Sequence, residues 1–193
     1  MESKKVFVLL GHPDKDTYTG ALADAYERAA KESGHEVRRM NIEEMAFDPI
    51  LHKGYKAIQE LEPVLKEMQE NIRWADHFMV IYPNWWCTMP AKLKGMFDRA
   101  WLPGFAFNFD KPTGKLIKRL SGKTARVMVI AGSHSPFMTW WKFGDFTNEI
   151  SRGILGFAGM DVSVTTFGPC DHCTVGERET WQKQVEALGR AAQ

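Results

Sequence analysis

The chain alternates two hydrophobic periods. Val6 to Leu10 is an unbroken apolar run closed by Gly11 and Pro13, after which Leu22, Ala25, Tyr26 and Ala29 recur at helical spacing until Gly34. That is the pattern of a buried strand followed by an amphipathic helix. Glu36 to Met40 reads as a weaker strand. Beyond a loop holding Pro49, the positions Leu65, Met68 and Ile72 mark a second helix, started by Pro63, whose fixed φ and missing N–H suit a first turn. Phe78 to Tyr82 is a third strand. Pro90 opens a helix with Leu93, Met96, Phe97, Ala100 and Trp101 on one face and Lys92, Lys94, Asp98 and Arg99 largely off it. An irregular excursion, Leu102 to Lys123, precedes a fourth strand at Ala125 to Ala131. A mixed segment to Phe157 carries a further helix, Val162 to Phe167 is a fifth strand, and Trp181, Val185 and Leu188 mark a terminal helix.

Five strands alternating with helices, each strand apolar on both faces, predict an α/β fold whose parallel sheet is covered by helices on both sides. No G-x-G-x-x-G follows the first strand, so a doubly wound sheet of flavodoxin-like order, 2-1-3-4-5, is expected in place of a Rossmann order. With no internal repeat, low-complexity tract or linker, one domain is expected over residues 1–193. In such a sheet all strand C-termini share one edge. The loops GHPDKDTYT, YPNWWCTMP and AGSHSPF should therefore converge there, where ligands bind.

Composition narrows the partners. Of 193 residues, 44% are hydrophobic and 25% charged, which excludes a disordered or fibrous chain. A net charge of +1 provides no field to gather polyanions, so nucleic acid is not an expected partner. No apolar run approaches the roughly 20 residues of a membrane span. The N-terminal apolar core, broken by Gly11, is too short for a secretory signal. Three cysteines, an odd count, fit a reducing compartment, and a cytoplasmic location is expected.

Each converging loop admits two readings. Thr17 and Thr19 sit where the first helix begins, so backbone N–H groups and hydroxyls there can hold a phosphate, or one threonine can simply cap. Asp14 and Asp16 oppose an anion unless they point away. His12 contacts a ligand or bonds to its own loop. No Gly-Lys-Ser/Thr element is present, which argues against nucleoside triphosphate chemistry. The segment PNWWC combines backbone donors and acceptors with broad apolar faces, the requirement of a planar heteroaromatic cofactor such as a flavin; the alternative is one tryptophan in the core and one at an interface. AGSHSPF lacks the G-x-S-x-G elbow of serine hydrolases, with Pro136 beside Ser135. Cys170, His172 and Cys173 form a C-x-x-C element without a second ligand pair, better read as a loop with incidental thiols than as a metal or disulfide site.

The stretch YPNWWCTMPAKLKGMFDRAWLPGFAF resembles the central signature of the NAD(P)H:quinone oxidoreductase family, the DT-diaphorase-like flavoproteins. VFVLLGHPDKDTYTGAL is similar to that family's opening strand and phosphate loop, and the segment order matches over nearly the whole chain. The resemblance implies a homodimer, a tightly held flavin, and ping-pong two-electron transfer from NAD(P)H to quinones or similar aromatic acceptors. It implies flavin contacts from His12, Thr17, Tyr18 and Thr19 to the ribityl and phosphate parts. Pro83, Asn84, Trp85, Trp86 and Cys87 would hold the isoalloxazine, and Ala131, Gly132 and Ser133 would flank its other edge. Phe105, Phe107, Phe137, Trp140 and Trp141 are candidate walls of the acceptor pocket. The chain departs from the family where Thr139 and Phe143 stand at the places of a tyrosine and a histidine, which removes the usual proton relay. It is also short at the C-terminus, which favours FMN, with FAD as the alternative. Two rival readings use the same fold: a carrier that shuttles electrons between proteins, and an ancillary subunit that regulates a partner.

Overall fold

The computed structural model describes residues 2–193. The first apolar run forms β1 (Lys5–Leu10), and the helical pattern after it becomes α1 (Tyr18–Glu32). Then follow β2 (Glu36–Asn41), α2 (Pro63–Trp74), β3 (His77–Asn84) and α3 (Ala91–Ala100). The excursion contains a short antiparallel ribbon, β4 (Phe107–Phe109) with β5 (Leu116–Lys118). The chain closes with β6 (Thr124–Ala131), α4 (Pro136–Phe143), a π-helical segment at Glu149–Gly156, β7 (Asp161–Phe167) and α5 (Val175–Ala191).

The five long strands are all parallel, in the order β2-β1-β3-β6-β7, which is the expected 2-1-3-4-5 once the ribbon strands are set aside. Period-2 alternation splits the sheet into two cores. Phe7, Leu9, Phe78, Val80 and Tyr82 face α2, α3 and the π-helical segment, while Val6, Val8, Leu10, Met79 and Ile81 face α1 and α5. Burying strands on both faces removes every apolar side chain of β1 and β3 from water, the largest favourable contribution to the fold.

Three expectations are corrected. The edge strands are not apolar on both faces. β2 carries Arg38 and Arg39, and β7 leaves Val164 in solvent, because an edge strand has covering helices on only part of its surface. The segment between β6 and β7 holds two helical pieces. Gly144, at φ 84°, ends α4, its N–H returning to the Trp140 carbonyl, and Asp145 then accepts from the N–H groups of Thr147 and Asn148 to restart the chain. Arg99, expected off the buried face of α3, is 1% exposed.

Candidate cofactor site at the C-terminal sheet edge

β1, β3 and β6 lie side by side, with Leu10 paired to Ile81 and Asn84 to Ala131, so the loops that follow them emerge at one edge. Between the second and third of these loops lies an open cavity of about 890 Å³. Asn84, Trp85, Trp86 and Cys87 form one side. Ala131, Gly132, Ser133 and His134 form the other, and Thr139, Phe143 and Asp171 complete the lining.

The tryptophan loop is a two-residue hairpin. The Trp85 N–H donates to the Thr88 carbonyl at 2.9 Å and the Thr88 N–H to the Trp85 carbonyl at 3.1 Å. Its central residues, Trp86 at φ 54° and Cys87 at φ 63°, both occupy the left-handed region, where a tight hairpin of this hand normally places Asn-Gly. Non-glycine residues in this conformation cost of order 1 kcal/mol each and cluster at ligand sites. What the strain secures is display: Trp86 is 98% exposed. Beside it, Asn84 Oδ1 is buried without a hydrogen-bond partner, an acceptor whose desolvation is uncompensated until a donor arrives in the cavity.

In the first loop one threonine does cap, and the histidine bonds to its own loop. Thr17 caps α1, its hydroxyl accepting from the Gly20 N–H at 3.3 Å. Gly20 is required because a Cβ there would stand 1.9 Å from the Lys15 carbonyl oxygen. His12 Nδ1 accepts from the Asp14 N–H at 3.0 Å, and its ring meets Trp85 edge-on at 5.5 Å. Tyr18 turns away from the loop: its hydroxyl donates to the Arg178 carbonyl at 3.1 Å, and burial pushes its pKa up to about 12. Thr19 is buried. The N–H groups of Thr17, Tyr18 and Thr19 have no acceptor among the described residues, so the positive end of α1 is open to an anion.

On the opposite wall, Lys142 Nζ lies 3.0 Å from His134 Nε2 and Ser133 Oγ lies 3.0 Å from His134 Nδ1. An ammonium can only donate, which puts the imidazole proton on Nδ1, directed at Ser133. The Thr139 hydroxyl is committed to the Ser135 carbonyl at 3.0 Å, and Phe143 sits 6.2 Å from the His134 ring. Gly132 packs against Asp171, whose carboxylate would be 3.0 Å from an added Cβ. His134 and Asp171 were not selected from the sequence. The signal for both was their position in loops following β6 and β7, at the edge where ligands bind.

The expected acceptor walls fare unevenly. Phe105 is a core residue, 3% exposed and edge-on to Trp101 at 5.4 Å, because the chain doubles back over α3 before the ribbon. Phe107 lies away from the large cavity, against Phe157 at 5.1 Å, where it lines a second cavity of about 350 Å³ with Trp101 and Ile154. Phe137, Trp140 and Trp141 are exposed on α4 and line none of the large cavity. Among the described residues, no group of His, Cys, Asp and Glu gathers to hold a metal ion, and no helix is long and apolar enough to cross a membrane.

Known proteins resemble the chain over nearly its full length. NAD(P)H dehydrogenase (quinone) 1 of Rattus norvegicus is 26% identical over 218 aligned residues, spanning 97% of this chain and 78% of the relative's length. The solved NAD(P)H:quinone oxidoreductase from Methanothermobacter marburgensis superposes with a TM-score of 0.81 at 23% identity, covering 100% of both chains. An FMN-dependent NADH-azoreductase from Bacillus anthracis, solved in complex with FMN, superposes with a TM-score of 0.76 at 16% identity, over 97% of this chain and 99% of that one. The family model for the flavodoxin-like fold matches residues 4–190. With the parallel β2-β1-β3-β6-β7 sheet carrying that match from β1 to α5, the chain belongs to the flavodoxin-like fold family.

Proposed function

We propose that the chain is a single flavin-binding domain working as an NAD(P)H-dependent oxidoreductase, a quinone-type NAD(P)H dehydrogenase that carries two electrons from the nicotinamide to quinones or similar flat aromatic acceptors. The observation that carries this reading is the cavity between the strained tryptophan hairpin and the Gly132 loop, with the unpaired Asn84 Oδ1 on its wall. The residues present fit a flavin. Asn84 Oδ1 would accept from a ring N–H, the open N–H groups at the start of α1 would take the phosphate, and the Trp86 indole would supply an apolar face. FMN is favoured over FAD, because the phosphate end of the site is served by one helix terminus. The FMN complex of the azoreductase supports a flavin mononucleotide, and the rat relative's name supports NAD(P)H and a quinone as reactants.

The flavin supplies the two-electron chemistry, for which none of the lining side chains is suited. The chain's own residues position the reactants, exclude water and handle the proton. Thr139 is bonded to backbone and Phe143 carries no ionisable proton, so the proton passes from the His134–Ser133 pair, with Lys142 fixing the tautomer. We place the enzyme in the cytoplasm as a homodimer. Purified protein should be yellow and release FMN on denaturation, and it should oxidise NADH or NADPH with a benzoquinone in steady state. Colourless protein that fails to bind added FMN would overturn the flavin site. Flavin-loaded protein without nicotinamide turnover would instead identify a carrier.

A further inference from the structure

β7 ends at Phe167, and the chain runs through Cys170, Asp171, His172 and Cys173 to Thr174, the N-cap of α5. This turn holds two of the chain's three cysteines at i, i+3 spacing, both free and half-buried. The Cys173 thiol donates back to the Cys170 carbonyl at 3.1 Å, and Arg178 donates from Nε to the Cys173 sulfur at 3.1 Å. Arg178 is itself anchored: its guanidinium lies over the Tyr18 ring at 5.2 Å, and its carbonyl accepts the Tyr18 hydroxyl. Two thiols at this spacing, between a strand end and a helix start, form the C-x-x-C pattern of a redox pair. A guanidinium donor at one sulfur supports negative charge there as that sulfur attacks or leaves. At the other sulfur burial dominates. Burial, and then the adjacent Cys173 thiol, push Cys170 up to about 11, so it keeps its proton until Cys173 has reacted.

We propose that Cys170 and Cys173 form a second redox centre, a dithiol–disulfide couple exchanging two electrons with small-molecule disulfides, with Cys173 as the attacking sulfur and Cys170 as the resolving one. Cys173, its proton lost to water, attacks a disulfide RSSR. The S–S bond breaks, RS⁻ leaves and takes up a proton, and Cys173 becomes a mixed disulfide. Cys170 then gives up its proton and attacks the Cys173 sulfur, expelling the second RS⁻, so the protein dithiol is oxidised by two electrons and RSSR is reduced to two RSH. The turn is joined to the cavity wall. The Cys170 N–H donates to the Ala131 carbonyl at 2.9 Å, the Asp171 N–H to the Gly132 carbonyl at 3.1 Å, and Asp171 lines the cavity. None of the thiol chemistry depends on what fills that cavity.

The test equilibrates the purified protein anaerobically with glutathione disulfide and glutathione at set ratios, alkylates the remaining thiols and maps them by mass. Cys170 and Cys173 should lose their thiols together, with two hydrogens lost from the peptide that carries both, independently of Cys87. Cys170→Ser should stop at a glutathione adduct on Cys173, and Cys173→Ser should leave Cys170 reduced over the same time. Arg178→Leu should slow the first step about tenfold at an unchanged melting temperature, with Arg178→Lys restoring part of the rate. Separate adducts on both cysteines that never close, or both thiols staying reduced in excess glutathione disulfide, would overturn the couple. Faster reaction at Cys170 would overturn the assigned roles, as would an Arg178→Leu rate equal to the parent's.

Discussion

Trp86 offers nearly its whole side chain to solvent from a left-handed backbone, and no core residue rests on it. Its removal should therefore separate binding from folding. Trp86→Ala should weaken FMN binding by 1 to 3 kcal/mol of lost stacking and burial, about five- to a hundred-fold. Its unfolding free energy should stay within about 1 kcal/mol of the parent, and Trp86→Gly should match it, because glycine relieves the φ strain while loosening the unfolded chain. Fluorescence titration with FMN and urea unfolding measure the two quantities. Unchanged affinity with a stability loss of about 2 kcal/mol or more would make the indole a structural plug. His77 makes the opposite case, a buried titratable group remote from the cavity. It is 2% exposed, Nδ1 meets Thr124 Oγ1 at 2.7 Å, and Nε2 has no partner. Burial lowers its pKa to about 3. Between that value and the unfolded pKa near 6.5 the unfolded chain binds a proton the folded one refuses, so its contribution to stability is full above about pH 6.5 and falls with pH by up to about 1.4 kcal/mol per unit. His77→Gln should flatten that part of the stability profile in urea titrations from pH 7 to 4. A profile as steep as the parent's would assign the acid sensitivity elsewhere.

Among the elements, α3 is the one whose sequence pattern and structure differ most usefully. Its apolar stripe was legible, and Pro90 does open it, yet Arg99 on the supposed polar side is buried among backbone and carboxylate oxygens. It donates to the Asp48 and Glu60 carbonyls and pairs with Glu62 at 2.9 Å, fastening the loop after β2 onto the helix. Periodicity cannot reveal this, since a guanidinium that satisfies long-range acceptors has the same spacing as one in water. Arg99→Ala should cost about 3 to 5 kcal/mol in denaturant unfolding, since it strands a carboxylate and two carbonyls. Arg99→Lys should recover only part, lacking the fork that reaches both sides. A loss below about 1 kcal/mol would mean that water replaces the guanidinium. The sheet itself was legible because three of its strands are apolar on both faces, and the loops' shared edge follows from parallel strands alone. The split of the β6–β7 connection was not, because a glycine inside an aromatic-rich run leaves the hydrophobic period intact. At the site, the tryptophan hairpin was found from composition. Asp171 was missed because its place at the cavity depends on contact with the Gly132 loop, distant in sequence, and His134 because its partners Ser133 and Lys142 are brought to it only by the fold of the β6–α4 turn.

At the scale of the whole molecule, the apolar surface is distributed in a way that one copy of the chain leaves unfinished. On α4, Phe137, Trp140 and Trp141 stand exposed, Trp141 at 71%, and Phe109 projects from the ribbon. Phe107 and Phe157 line the second cavity, apart from the tryptophan hairpin of their own chain. Apolar surface of this extent favours association, and a two-fold partner is the simplest way to cover it while carrying the ribbon of one copy to the open cavity of the other. Light scattering should therefore give about twice the chain mass. If the cavity is completed across the interface, Trp86→Ala and Phe107→Ala should each lower quinone reduction, the first through flavin retention and the second through KM for the acceptor. Mixing the two impaired parents should restore part of the activity, because a heterodimer then holds one site with an intact tryptophan and an intact phenylalanine. Mass spectrometry of the intact assembly verifies that subunits have exchanged. No restoration despite verified exchange, or a fully active monomer, would confine the pocket to a single chain and leave the flavin site standing on its own loops.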